Sequence, residues 1–152
     1  MRYWLLKSEP DVFSIDDLRK QKTSIWDGVR NYQARNFLRA MLVGDLAFFY
    51  HSSNEPPGIV GLCQVLETNL PDPSQFDPQS PYCDPSSSRE NPRWWTVRVG
   101  FVEKYPRMLT LAQLKENFSP DELILLRRGN RLSVMPVAGE VAERIIAMKA
   151  SR

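Results

Sequence analysis

The chain has little of what metal and redox chemistry needs. Its 152 residues include only two cysteines, Cys63 and Cys83, outside any C-x-x-C pair, and one histidine, His51. That excludes a thiolate zinc centre and a disulfide-built scaffold, and it suits a reducing compartment. No metal and no cofactor is expected. Long apolar runs are missing too. The apolar start is cut short at Lys7, and the longest later run, Leu46 to Tyr50, is far too short to cross a bilayer. Neither a signal peptide nor a membrane partner is expected. A net charge of +2 is too small to indicate nucleic acid by itself, so any basic patch must arise from local arrangement. Glycine-rich phosphate loops, H-E-x-x-H and G-x-S-x-G are all absent. The adjacent carboxylates Asp16 and Asp17, and Asp121 and Glu122, lie at helix starts, where the helix dipole explains them. No catalytic residue is identified, and the chain is not expected to be an enzyme.

What is present describes an ordinary globular α+β chain, with residues 1–152 read as a single domain large enough to bury a core. Arg2 to Lys7 reads as a strand with apolar residues on both faces. Ser14-Ile-Asp-Asp17 resembles a capping box and predicts a short helix over 15–20. Ala34, Phe37, Leu38 and Met41 recur at helical spacing and predict a helix over 32–42, with Asn31 as its N-cap. Leu46 to Ser52 and Ile59 to Leu66 read as paired strands. Periodicity is lost between Asn69 and Pro92, which contain six prolines. A connection that long is usually functional or disordered. Phe76 and Tyr82 give it rings to dock with, so an ordered flap over one end of the sheet is expected. In the strand from Arg93 to Glu103, Trp95, Val97, Val99 and Phe101 share the core side, and Trp94, Thr96 and Arg98 a more polar one. Thr110 caps a short helix to Lys115, and Ser119-Pro-Asp-Glu122 predicts another over 121–126. Arg131 to Met135 reads as a last strand stopped by Pro136, followed by a helix over 139–149.

One stretch stands out: Trp26-Asp-Gly-Val-Arg-Asn-Tyr-Gln-Ala-Arg-Asn36 places an indole, a tight turn and a helix start within a few residues. Trp26 is either a core anchor under a turn or a ring that stacks on a flat ligand. Arg35 and Arg39 are either a solvated helix edge or a phosphate-facing one. Trp94 fits a binding wall or packing against the proline loop. Aromatic and basic residues alternate at element ends, through Trp4, Lys7, Trp26, Arg30, Tyr32, Tyr82, Arg93, Trp94, Arg127, Arg128 and Arg131. This combination holds unpaired or flipped bases, by stacking and by neutralising phosphates.

These motifs, with Trp4 to Pro10, Phe49-Tyr-His-Ser52, Pro57 to Gly61, Pro92-Arg-Trp94 and Arg131-Leu-Ser-Val134, resemble the EVE-domain family along nearly the whole chain. The resemblance implies a PUA-like fold, a mixed β-barrel with short helices around it. It also implies kinship with YTH domains, which hold a methylated adenine in an aromatic cage. The expected function is therefore a nucleic-acid-binding module that recognises a modified base in DNA or RNA. Lys7, Ser8 and Trp26 match YTH cage positions. Trp26 would stack on the base, with Tyr82 or Trp94 closing the other side. Ser8, Asp27 and Asn31 would read its polar edge beside Tyr32, with His51 and Ser52 on the floor. Lys7, Arg30, Arg35, Arg93 and Arg131 would hold the backbone. A monomer is expected, cytoplasmic in a bacterium or nuclear in a eukaryote. The alternatives are a small enzyme acting on nucleic acid or a nucleotide, using His51, and a peptide-binding adaptor.

Overall fold

A computed structural model describes residues 1–150. Six strands build one sheet: β1 (Tyr3–Ser8), β2 (Thr23–Ile25), β3 (Leu46–His51), β4 (Gly58–Pro71), β5 (Trp95–Thr110) and β6 (Val134–Val137), in the order β2-β5-β4-β3-β1-β6. The pair β1–β3 is parallel and the other four pairs are antiparallel. Around it lie α1 (Ile15–Gln21), α2 (Tyr32–Ala40), α3 (Leu111–Asn117) and α4 (Gly139–Ala150).

The two apolar faces of the opening strand have a direct consequence: the sheet carries a core on each side. Trp4 and Leu6 join Ile15 and Leu18 of α1, Ala34 and Leu38 of α2, and Phe49, Val97 and Val134. Leu5 faces the other way, with Phe48, Leu114 of α3, and Val141 and Ile145 of α4. Each such side chain contributes about 1.5–3 kcal/mol when fully withdrawn from water. The helix starts follow their caps. Ser14 and Asp17 form a reciprocal capping box, the Asn31 side chain accepts the Ala34 N–H at 2.9 Å, and Thr110 forms a second box with Gln113.

Of the expected mixed β-barrel, the mixed sheet and the surrounding helices are present, without closure. Strands β2 and β6 end the sheet order, and no ladder joins them among the described residues, so the sheet is open. Helix α2 lies against β4, β5 and β6, with Ala34 and Leu38 in the core on that side. The helix expected over 121–126 is corrected. The Ser119 N–H does reach the Glu122 carboxylate at 2.9 Å. Yet only one 3-10 turn follows, Ile124–Leu126. Leu123 and Leu125 are both buried in one core, at a two-residue spacing that an α-helix would send to different sides. Strand β6 runs through Pro136 instead of stopping before it, which an edge strand tolerates. Strand β5 likewise continues through Pro106. The short β2 pairs only with Arg98, Val99 and Gly100, leaving that side of β5 unladdered further on.

Candidate nucleic-acid interface

Trp26 follows directly on β2. Its N–H bonds the Val97 carbonyl at 2.9 Å, and the Trp26 carbonyl accepts from the Thr96 hydroxyl. The side chain is 6% exposed, and its ring meets Phe49 edge-on at 5.4 Å and Phe13 at 6.2 Å. Ser8 and His51 belong to the same cluster. The Ser8 hydroxyl donates to the Phe13 carbonyl at 2.5 Å, and the His51 ring lies 5.6 Å from Phe49. His51 Nε2 accepts the Ile15 N–H at the head of α1 at 3.1 Å, which assigns its proton to Nδ1. Burial holds this imidazole below its ordinary pKa, so it is neutral. The Ser52 N–H bonds the Ser8 carbonyl at 3.0 Å. Lys7 does not join this group. Strand alternation sends it to the face of Leu5 and its register partner Tyr50, where partial burial lowers its ammonium pKa.

A second cluster forms where the proline-rich flap docks on the tryptophan motif. Gly28 has a φ of +85°, and a Cβ there would stand 2.8 Å from the Tyr82 ring, so only glycine fits this turn. Its N–H donates to Asp72 at 2.8 Å. Asp27 keeps solvent contact. Even so, partial desolvation, and then repulsion from Asp72, raise its carboxyl above the usual range. Arg30 uses all five of its N–H donors inside the protein: two on the Tyr82 carbonyl, and one each on the Val29 carbonyl, Asp72 and Ser74 Oγ. Asp72 and Gln75 are each 1% exposed. The Gln75 amide donates to the Asp72 and Trp94 carbonyls and accepts from the Ser87 hydroxyl and the Trp94 N–H.

Trp94, expected on a polar strand face, is buried under this flap. Its indole N–H donates to Asp84 at 2.7 Å, and its ring stacks on Tyr32 at 4.9 Å. Trp95, expected on the core side, is half-exposed under the Arg39 guanidinium. Hydrogen bonds from Ser86 and then from Trp94 hold the Asp84 carboxyl down to about 2. The contacts continue outward. Arg35 lies over the Tyr32 ring at 4.8 Å and donates to the Arg93 carbonyl, while Arg93 reaches the Tyr32 hydroxyl at 3.5 Å. Tyr32 remains 51% exposed. Asn31 spends its side-chain oxygen on the helix cap.

The structure therefore gathers Ser8, Trp26, His51 and Ser52 in one group, and Arg30, Tyr32, Arg35, Tyr82, Arg93 and Trp94 in another, joined through Asp27 and Gly28. Arg131 stands apart, exposed in the segment that leads to β6 beside Lys7. Sequence reasoning missed Phe13 and Phe49 as the packing around Trp26, and Asp72, Gln75 and Asp84 as the flap's internal partners. Asp72 had a readable signal, an N-cap residue before proline at the first helical position. Gln75 had none.

A model of the EVE domain matches residues 2–148. The chain belongs to the EVE-domain family. Human thymocyte nuclear protein 1 is 42% identical over 165 aligned residues, covering 97% of this EVE chain and 73% of that protein. A crystal structure of a Pseudomonas syringae protein is 48% identical, with a TM-score of 0.93 over 97% of this chain and 99% of that one. The crystal structure of the human THYN1 protein in complex with DNA containing 5-methylcytosine matches at a TM-score of 0.91 and 42% identity, covering 98% of each chain. The sequence resemblance to the EVE-domain family is thereby met, and a DNA complex stands among the similar structures.

Proposed function

We propose that this EVE domain is a DNA-binding module that recognises a modified base, with 5-methylcytosine as the first ligand to test. One observation carries the reading: the human THYN1 protein, similar over 98% of both chains, is a complex with 5-methylcytosine-containing DNA. The base stacks on Trp26, entering beside the Asp27–Gly28 turn. Tyr82 suits the opposite wall better than Trp94. Its ring lies against Gly28, two residues from Trp26, whereas Trp94 is already committed to Tyr32 and Asp84. Ser8, Asp27 and Asn31 are the candidate readers of the base edge, with His51 and Ser52 behind them. Arg30 serves as the clamp of the flap, since it has no donor left for a phosphate. Arg35, Arg93 and Arg131 face the backbone. The domain acts as a monomer, in the cytoplasm of a bacterium or the nucleus of a eukaryote.

The reading is of a binder, not an enzyme. The one imidazole available for acid–base work already accepts a backbone N–H through Nε2. The test is equilibrium binding to matched duplexes, single strands and RNAs with and without 5-methylcytosine, for the natural chain and for Trp26→Phe and Tyr82→Ala. A preference for the methylated duplex that Tyr82→Ala abolishes supports the pocket. Equal affinity for every oligonucleotide removes the modified-base reading, and a changed oligonucleotide mass after incubation would restore the enzyme.

A further inference from the structure

Most of the buried or half-buried cations of this protein already have carboxylate partners. Arg30 is paired with Asp72, Arg98 with Glu67, and Lys149 with Glu103. The segment between the last 3-10 turn and β6 differs. Residues Arg127 to Asn130 form a tight turn closed by the Asn130 N–H on the Arg127 carbonyl at 3.1 Å. Gly129, with φ +76°, takes the third position, where a type II turn needs a positive φ. The Asn130 side-chain oxygen then accepts the Leu132 N–H at 3.2 Å, which fixes which way the amide points. That leaves Asn130 Nδ2 buried with no acceptor. Arg128 and Arg131 are exposed and, among the described residues, make neither an ion pair nor a side-chain hydrogen bond. Arg127 reaches only the Pro120 carbonyl, at 3.3 Å. The turn is tied to β1 by the Lys7 N–H on the Ser133 carbonyl at 2.8 Å, and Lys7 is a half-buried cation that likewise has no partner. Of the two nearest carboxylates in sequence, Glu122 is held by Arg144, and Asp121 is exposed.

Every group left over here is a donor or a cation, and a buried amide N–H without a partner normally costs about 1–3 kcal/mol. Unpaired cations beside an unspent donor suit an oxyanion. We propose that the Arg127–Ser133 turn, with Lys7, is a phosphate-binding site that grips one strand of the nucleic acid. The exposed guanidinium groups of Arg128 and Arg131 meet the phosphodiester oxygens, and the turn opens to offer Asn130 Nδ2, which is closed to solvent in the free fold. Leu132 anchors the turn against the apolar cores on both sides of the sheet, while Arg128 and Arg131 make no contact with the Trp26 group among the described residues, so they supply affinity without reading the base. This rests on the nucleic-acid reading above.

The test combines salt-dependent binding to a methylated duplex with side-chain amide NMR in inorganic phosphate. For Arg128→Gln/Arg131→Gln, affinity for the duplex falls roughly ten-fold or more at low salt. The plot of log affinity against log salt becomes shallower by about 1.8. The ratio of methylated to unmethylated affinity stays unchanged, and Arg128→Lys/Arg131→Lys restores the slope. Unchanged affinity and slope in the glutamine variant overturn the site. If the natural chain binds no nucleic acid, the phosphate titration decides. A saturating shift of the Asn130 side-chain amide that the glutamine variant lacks upholds the phosphate site while the nucleic-acid reading fails, and an unmoved Asn130 amide overturns the site itself.

Discussion

The two long irregular segments of this protein spend their polar groups in opposite ways. In the flap between β4 and β5, Asp72, Gln75 and Asp84 are consumed internally, and Arg30 donates every N–H it has to its surroundings. In the turn before β6, two guanidinium groups and the buried Asn130 Nδ2 have no partner among the described residues. Both are rich in the residue types that recognise nucleic acid, yet the flap spends its buried carboxylate and amide groups internally, while the turn leaves a buried donor unspent beside two free guanidinium groups. An arginine beside an aromatic ring marks an interface only once its donors have been counted, and by that count the flap arginine is architecture.

The comparison is tested most severely at Asp72. Its carboxylate accepts from the Gly28 N–H, the Ser74 N–H and hydroxyl, and Arg30. Asp72→Ala leaves a largely buried guanidinium uncompensated, so unfolding in urea should register a loss of about 3–5 kcal/mol. Equal stability of the variant would mean that the flap is not locked as described. Gln75→Ala comes next. It strips four buried hydrogen bonds from the flap base, at about 1–3 kcal/mol for each group left unsatisfied and not rehydrated. Amide exchange of the flap should accelerate even where the global midpoint moves little.

A smaller effect is expected from pH. Burial lowers the His51 pKa in the folded chain, while the unfolded chain titrates near about 6.5. The unfolded state therefore takes up the proton first as pH falls. The stabilisation is fully present above about pH 6.5 and is lost as acidity increases below it. Urea midpoints on the two sides of that pH should differ in the natural chain and converge in His51→Gln. Smallest of all is the effect on stability of Arg128→Gln/Arg131→Gln. Exposed, unpartnered residues should change the unfolding free energy by less than about 0.5 kcal/mol. A large loss there would move the turn into the same class as the flap.

The elements legible in the sequence were those specified locally. The apolar spacing of α2, the Ser14 and Thr110 caps and the double-faced β1 all have their cause within a few residues of one another. What escaped depends on partners far along the chain. Strand β2 is only three residues long and exists because Ser24 lies opposite Val99. The 121–126 segment carries a valid helix-start signal, overridden because Leu123 and Leu125 enter the same core. At the site, the tryptophan motif and the docking of the proline loop were readable from rings and prolines. Packing of Trp94 against that loop was one of two readings, and neither the choice between them nor the saturation of Arg30 was legible, because both follow from Asp72, Gln75 and Asp84 arriving from across the flap.

The position of β1 bears on when this protein can be assembled. The first of the six strands in sequence, it lies between β3 on one side and β6 on the other. Its pairing with Val134 and Met135 must wait for nearly the whole chain to emerge. Contacts so distant in sequence favour slow folding. Until β6 docks, one side of the first strand is an unpaired edge, open to pairing with another chain. A nascent copy would be most prone to aggregation just before β6 leaves the ribosome. The Lys7–Ser133 bond, which ties the arginine turn to the first strand, would be among the last native contacts to form.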